Sequence, residues 1–126
     1  MPYTVKQLSD DVAEVAYDGP VTEVEATNAT NECVHLQRQF SILKFLVVIA
    51  DDSVIEMQID RVREVAGQGY KRLELRRWTR IALIRPKSES ARRFAEAYEE
   101  TCRKRGWVVR VLPDREAALK WLNEPA

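Results

Sequence analysis

Polar and apolar positions alternate at the start of the chain and then change period. Tyr3, Val5 and Leu8 are spaced by polar residues, and Val15 and Tyr17 share one face of the next run, Val12 to Tyr17. Ser9-Asp10-Asp11 separates the two runs with turn-forming residues, so they predict an antiparallel hairpin. Asp18-Gly19-Pro20 ends that pattern. From Thr22 onward the apolar positions Ala26, Ala29, Cys33, Leu36 and Phe40 recur at steps of three and four. This predicts a helix from Glu23 to Phe40 that leaves Asn28, Asn31, Glu32 and Arg38 in water. Thr22-Glu23-Val24-Glu25 has the form of a capping box at its start. His35 falls on the polar face, with no nucleophile beside it.

Phe45 to Ala50 is apolar without interruption, the mark of a strand buried on both faces at the centre of a parallel sheet. Asp51-Asp52 ends it. Ser53-Val54-Ile55-Glu56 has the form of a second capping box, and Ile55, Ile59, Val62 and Val65 or Ala66 continue at helical spacing. Gly67 and Gly69 then suit a left-handed helix end. Between Tyr70 and Thr79 the apolar positions Leu73, Leu75 and Trp78 suggest a short extended segment, an edge strand kept soluble by its Arg and Lys residues.

The closing block is the most regular. Ile81 to Ile84 is a short apolar run, and Ser88 or Ser90 caps a helix over Ala91 to Arg105. Its buried stripe is Ala91, Phe94 or Ala95, Tyr98 and Cys102, which makes Cys102 a small core residue. Gly106 stops the helix and Trp107 to Leu112 forms another apolar run. Asp114 caps a last helix, with Ala118, Trp121 and Leu122 turned inward. The element order β-β-α-β-α-(β)-β-α-β-α defines an α/β fold in one domain over residues 1–126. Its sheet has roughly four to six strands, mixed but mostly parallel, with the hairpin as an antiparallel edge and about four covering helices.

Composition narrows the setting. At 126 residues, 45% hydrophobic and 32% charged, the chain has ordinary globular proportions. Its longest apolar run is far below the roughly 20 residues of a membrane helix, and Met1-Pro2-Tyr3-Thr4 lacks the features of a signal peptide. Membrane insertion is therefore not expected. Cys33 and Cys102 stand alone and His35 is the only histidine. The sequence thus predicts no disulfide framework, metal site or cofactor, and a reducing, cytoplasmic location.

The net charge is zero, but it is unevenly spread. Residues 1–60 carry 3 Lys/Arg and 11 Asp/Glu, whereas residues 61–126 carry 17 and 9. The basic run from Lys71 to Arg93 suits a phosphate, a nucleic acid or an acidic protein face, or simply neutralises the acidic half across one surface. Zero overall charge and the lack of a base-reading motif weigh against nucleic acid. The same asymmetry suggests a homodimer in which the Lys71–Arg93 surface of one copy meets the acidic half of another.

Motifs of catalysis are absent. There is no Gly-rich phosphate loop, no Gly-x-Ser-x-Gly, no His-Glu-x-x-His and no cysteine paired with a nearby histidine. An enzyme is not expected. Asp51 and Asp52 nevertheless lie at the carboxyl end of the central strand, where open α/β sheets place ligands. Together with Arg76, Arg77 and Trp78 they are the candidate ligand or partner contacts.

The run Phe45 to Ala50 leading into Asp51-Asp52-Ser53 resembles the STAS fold of anti-sigma factor antagonists, the SpoIIAA-like proteins. The C-terminal third resembles the bacterial SpoIIAA-like proteins related to CRAL-TRIO lipid carriers. Those proteins close on an Ala-x-x-Trp-Leu helix, here Ala118, Trp121 and Leu122. The first resemblance implies a non-enzymatic regulatory domain that binds a protein. It also implies a regulatory phosphoserine at the helix after the central strand, where the nearest position is Ser53. The regulators follow their Asp with a Ser-Gly pair, whereas this chain has Val54-Ile55 after Ser53; a structural role as helix cap is the other reading of that serine. The CRAL-TRIO resemblance implies instead a carrier or sensor of a small apolar, lipid-like ligand. Its wall candidates are Phe40, Phe45, Trp78, Phe94, Tyr98, Trp107 and Trp121, and it requires a cavity of a few hundred Å3.

Overall fold

The computed structural model describes residues 3–56, 58–64, 75–76 and 78–124. Strands β1 (Tyr3–Gln7) and β2 (Val12–Tyr17) form the expected hairpin, with Val5 opposite Val15. Helix α1 (Glu23–Phe40) leads to β3 (Lys44–Ile49), and the short α2 (Ile59–Glu64) lies between β3 and β4 (Arg80–Ile84). Helix α3 (Glu89–Lys104), β5 (Val108–Leu112) and α4 (Arg115–Leu122) complete the chain. The sheet order is β1-β2-β3-β4-β5, antiparallel at the first pair and parallel thereafter. The mixed, mostly parallel sheet with an antiparallel edge is the arrangement expected from the hydrophobic pattern.

Sequential order has a consequence for the helices. The connections β2-α1-β3, β3-α2-β4 and β4-α3-β5 step the same way across the sheet, and crossovers of one hand place their helices on one face. Val34 of α1 and Ala91, Ala95, Tyr98 and Cys102 of α3 accordingly share a core with Phe45, Ile49, Ile81, Leu83 and Val109, and α2 packs on α3. Helix α4, which follows the last strand, covers the opposite face: Ala118 and Leu122 pack on Val12, Leu46, Ala82 and Leu112. Strand β3 is therefore buried from both sides, as its unbroken apolar run requires. Helices α1, α3 and α4 each follow a strand of the parallel set, so all three begin at the carboxyl edge of the sheet and run toward its amino edge.

The helix ends follow local chemistry. Glu25 accepts the Thr22 N–H at 3.1 Å in a capping box, Ser88 accepts from Ala91, and the Asp114 carboxylate accepts the Ala117 N–H at 2.8 Å. Gly106, at φ 84°, takes the left-handed conformation that turns the chain from α3 into β5.

Two expectations are corrected. The segment after Ser53 is not helical: Val21 donates to the Val54 carbonyl and Glu56 donates to the Val21 carbonyl, both at 2.7 Å, making a parallel bridge between Val21 and Ile55. Of the two backbone donors a capping box would use, Glu56 N–H is spent on this bridge and Ser53 N–H on the Ala50 carbonyl, and the helix begins only at Ile59; the glycines expected to end it, Gly67 and Gly69, lie outside the described residues. The inward line of α1 also differs. Ala29, Val34 and Gln37 are buried, while Phe40 is half exposed. The line passes through a polar residue because Gln37 finds partners for its whole amide: it donates to the Ile42 carbonyl and to Thr79 Oγ1, and accepts from the Arg76 N–H. Of the extended segment expected at 70–79, residues 70–74 and 77 lie outside the described residues; Leu75 is a core residue and the described remainder forms no strand.

Candidate functional site

At the carboxyl end of β3 the chain turns sharply. Ala50 donates to the Tyr17 carbonyl at 2.9 Å and Ser53 N–H donates to the Ala50 carbonyl at 3.0 Å, which sets Asp51 and Asp52 at the tip of the turn. Both carboxylates are exposed, and Asp51 meets Lys87 at 3.4 Å. This exposed pair contributes little to stability, because water screens it. Ser53 points inward. It is 2% exposed, and its hydroxyl donates to the Tyr17 carbonyl at 3.4 Å, a long bond to an oxygen already used by Ala50.

Beyond Ser53, two apolar side chains on the segments joined by the Val21–Ile55 bridge stand in the open. Val54 is 52% exposed, and Val24, in the first turn of α1, is 66% exposed. Asp18, Glu23, Glu56 and Asp60 are exposed on the segments around them. The sequence reading missed this patch: Val24 lies inside a capping box, and Val54 was assigned to a helix. The adjacent β-branched pair Val54-Ile55 was the available signal for extended backbone.

Arg76 and Trp78 occupy the other end of the sheet. The Arg76 N–H is held by Gln37, Trp78 is 63% exposed, and Arg80 N–H donates to the Leu43 carbonyl as β4 begins. Six residues of strand at about 3.3 Å each separate this end from Asp51, so the two groups of candidates stand roughly 20 Å apart and do not form one site. Arg77 lies outside the described residues. The basic run is divided in the same way. Arg80 donates to the carbonyls of Trp121 and Glu124, with its guanidinium over the Trp121 ring, while Arg93 pairs with Glu89 and Lys87 with Asp51. Among the described residues of the run, Arg76 and Arg80 therefore lie at one end of the sheet and Lys87 and Arg93 at the other; Lys71, Arg72 and Arg77 lie outside the described residues.

A cavity of about 90 Å3 lies between the sheet and helices α1 and α3, lined by residues that include Val15, Tyr17, Cys33, Phe45, Leu83 and Tyr98. Ligand pockets are several times larger. Two of the expected wall residues, Phe40 and Trp78, face solvent instead. The apolar-carrier alternative is not supported. Burial pushes the Cys33 and Cys102 thiols up to about 12, so neither supplies a thiolate near neutrality.

No family model matches the chain, and no curated protein matches it in sequence. In three dimensions it is similar to the anti-sigma factor antagonist SpoIIAA, solved in its unphosphorylated form. The TM-score is 0.59 at 12% identity, and the alignment covers 98% of this chain and 99% of that one. No described helix is long and apolar enough to cross a membrane. The strand order, the helices on both faces of the sheet and this end-to-end alignment together identify the fold as the SpoIIAA-like, STAS α/β fold.

Proposed function

We propose that the chain is a non-enzymatic regulatory domain that works in the cytoplasm by binding another protein through the carboxyl edge of its sheet. The observation that carries this reading is the pair Val24 and Val54, both exposed on the segments that flank the Val21–Ile55 bridge, with the exposed carboxylates of Asp51, Asp52 and Glu56 on the same stretch of chain as Val54. An apolar centre with a charged rim is the usual anatomy of a protein interface. The fold is shared with an antagonist of an anti-sigma factor, a protein whose name describes action on another protein. The partner surface complementary to this edge is apolar at its centre and basic around it.

In this reading Ser53 anchors the turn. Its 2% exposure means that a kinase reaches the hydroxyl only after the Ala50–Ser53 turn opens. Asp51 and Asp52 would repel a phosphate once it was there.

A photo-crosslinking residue at position 54 identifies the partner in cells of the source organism, and titration with that purified partner tests the surface. Val24→Asp with Val54→Asp is expected to weaken binding about tenfold or more, roughly 1.4 kcal/mol. Trp78→Ser, at the far end of the sheet, is expected to leave it unchanged at protein concentrations where the chain is a monomer. A partner that binds both variants equally well overturns the proposal.

A further inference from the structure

The two ends of the sheet differ in charge, and the helix directions explain why. Helices α1, α3 and α4 place their first turns at the carboxyl edge and their last turns at the amino edge. Acidic side chains favour the positive end of a helix dipole and basic ones its negative end. Glu23, Glu25, Glu89 and Glu116 lie in first turns, whereas Arg38, Arg103, Lys104 and Lys120 lie in last turns. The Asp51-Asp52 turn, with Asp18 and Glu56, adds to the acidic end. Arg76 adds to the basic end.

Some of these charges are already neutralised. At the amino edge Asp11 pairs with Lys44, and Glu100 with Lys104; at the carboxyl edge Lys87 pairs with Asp51, Arg61 reaches Glu23 and Arg93 pairs with Glu89, and Arg85, Arg92 and Arg115 also lie there, on the β4 and β5 side away from Asp18, Asp52 and Glu56. The opposition between the ends remains. Each end also carries exposed apolar surface. Val24 and Val54 stand at the acidic end. At the basic end stand Trp78 and Phe40, both beside the buried Gln37–Thr79 bond, Trp78 adjacent to Thr79 in the chain and Phe40 one helical turn after Gln37.

The β5 edge of the sheet is guarded. Glu99 accepts the Val111 N–H at 2.6 Å, and the Cys102 carbonyl accepts the Trp107 N–H at 2.9 Å. Within β5 the Val111 donor is therefore taken, and the residue leading into the strand is tied back to α3, which blunts this edge toward an added strand.

We infer that a second copy of this chain docks end to end, its acidic Val24/Val54 edge seated on the basic Trp78/Phe40 edge of its neighbour. The net charge of zero leaves no overall repulsion between copies. Such a contact joins two different surfaces, so each added copy presents a fresh acceptor and growth continues unless the geometry closes a ring. It uses the same carboxyl edge as the proposed protein partner, so assembly and partner binding are mutually exclusive at that surface. The purified chain alone tests the assembly, and its outcome is independent of whether a partner is found.

The test is sedimentation velocity and light scattering on the purified protein at rising concentration, at low salt and again at roughly 0.5 M salt, where charge attraction between surfaces is screened. The wild type is expected to grow in mass with concentration at low salt and to fall back toward 14.6 kDa at high salt. Asp51→Lys with Asp52→Lys disables one end, and Trp78→Glu disables the other; all three positions are exposed, and circular dichroism checks that the variants fold. Each variant alone is expected to remain monomeric. Mixed together, they retain one good end of each kind and are expected to form a dimer that grows no further. A wild type that stays at 14.6 kDa throughout overturns the inference. So does an assembly unaffected by either variant, or a mixture that stays monomeric while the wild type assembles.

Discussion

At the scale of single residues the informative positions are buried and polar, or buried and ionisable. Gln37 is 2% exposed and ties α1 to the entry of β4 through Ile42, Arg76 and Thr79. Gln37→Ala leaves those groups without partners in the interior, and chemical denaturation is expected to show a loss of about 2–4 kcal/mol. Cys33 gives a pH signature. Burial raises its thiol from an ordinary value near 9 to about 12. The folded state thus favours the protonated form. That contribution to stability is fully present below about pH 9 and is lost as pH rises toward 12. Unfolding measured across this range is expected to show a shallower alkaline decline in Cys33→Ala than in the wild type. These roles were not legible in the sequence. A glutamine in a helical stripe looks like an interruption until its three partners, two of them 39 and 42 residues away and out of reach of any periodicity, are brought together by the sheet.

At the scale of elements the hydrophobic period was a reliable guide where it was long or reinforced by a cap. Helix α1, helix α3 with its Ser88 cap, and the hairpin all lie where periodicity and turn chemistry agree. The Ser53–Glu56 segment shows where this reasoning fails. Ser-x-x-Glu specifies a helix start only if the intervening backbone is free, and here Val21 takes it into a bridge. The two readings of Ser53 make opposite predictions. At a helix cap Asp substitutes well for Ser. At a buried site beside the Tyr17 carbonyl, Ser53→Asp places an unpaired carboxylate against a carbonyl oxygen. It is expected to destabilise by about 3 kcal/mol or more, whereas Ser53→Ala costs less than about 1 kcal/mol because the bond it removes is long. Thermal unfolding of the two variants distinguishes the cases: equal, small shifts for both would restore the capping reading.

At the scale of the whole molecule the class of fold was legible and the arrangement of its surface was not. An apolar run buried on both faces, flanked by helical periods, leaves few alternatives to a covered parallel sheet. Surface placement depends on which strand ends face the same way, and that is a property of topology. The acidic and basic halves of the sequence looked like two opposed faces. The sheet instead interleaves them, so the described residues of the basic run are split between both edges while the helix-end charges sort by edge. Asp51, after β3, and Trp78, before β4, grouped as contact candidates from sequence, stand at opposite ends of the sheet for the same reason.

The alignment of helix ends also governs how the protein meets a charged solid. A chain with formal net charge zero at pH 7 ordinarily passes through ion-exchange resin of either sign. Because its acidic and basic groups are gathered at opposite ends, this molecule can turn one end to a positive matrix and the other to a negative one. Retention depends on the local patch and not on the sum. At low ionic strength near neutrality it is expected to bind both an anion and a cation exchanger and to leave each at modest salt; Asp51→Lys with Asp52→Lys is expected to weaken retention on the first and strengthen it on the second. Flow-through on both resins would show that the separation of charge is too shallow to orient the molecule at a surface.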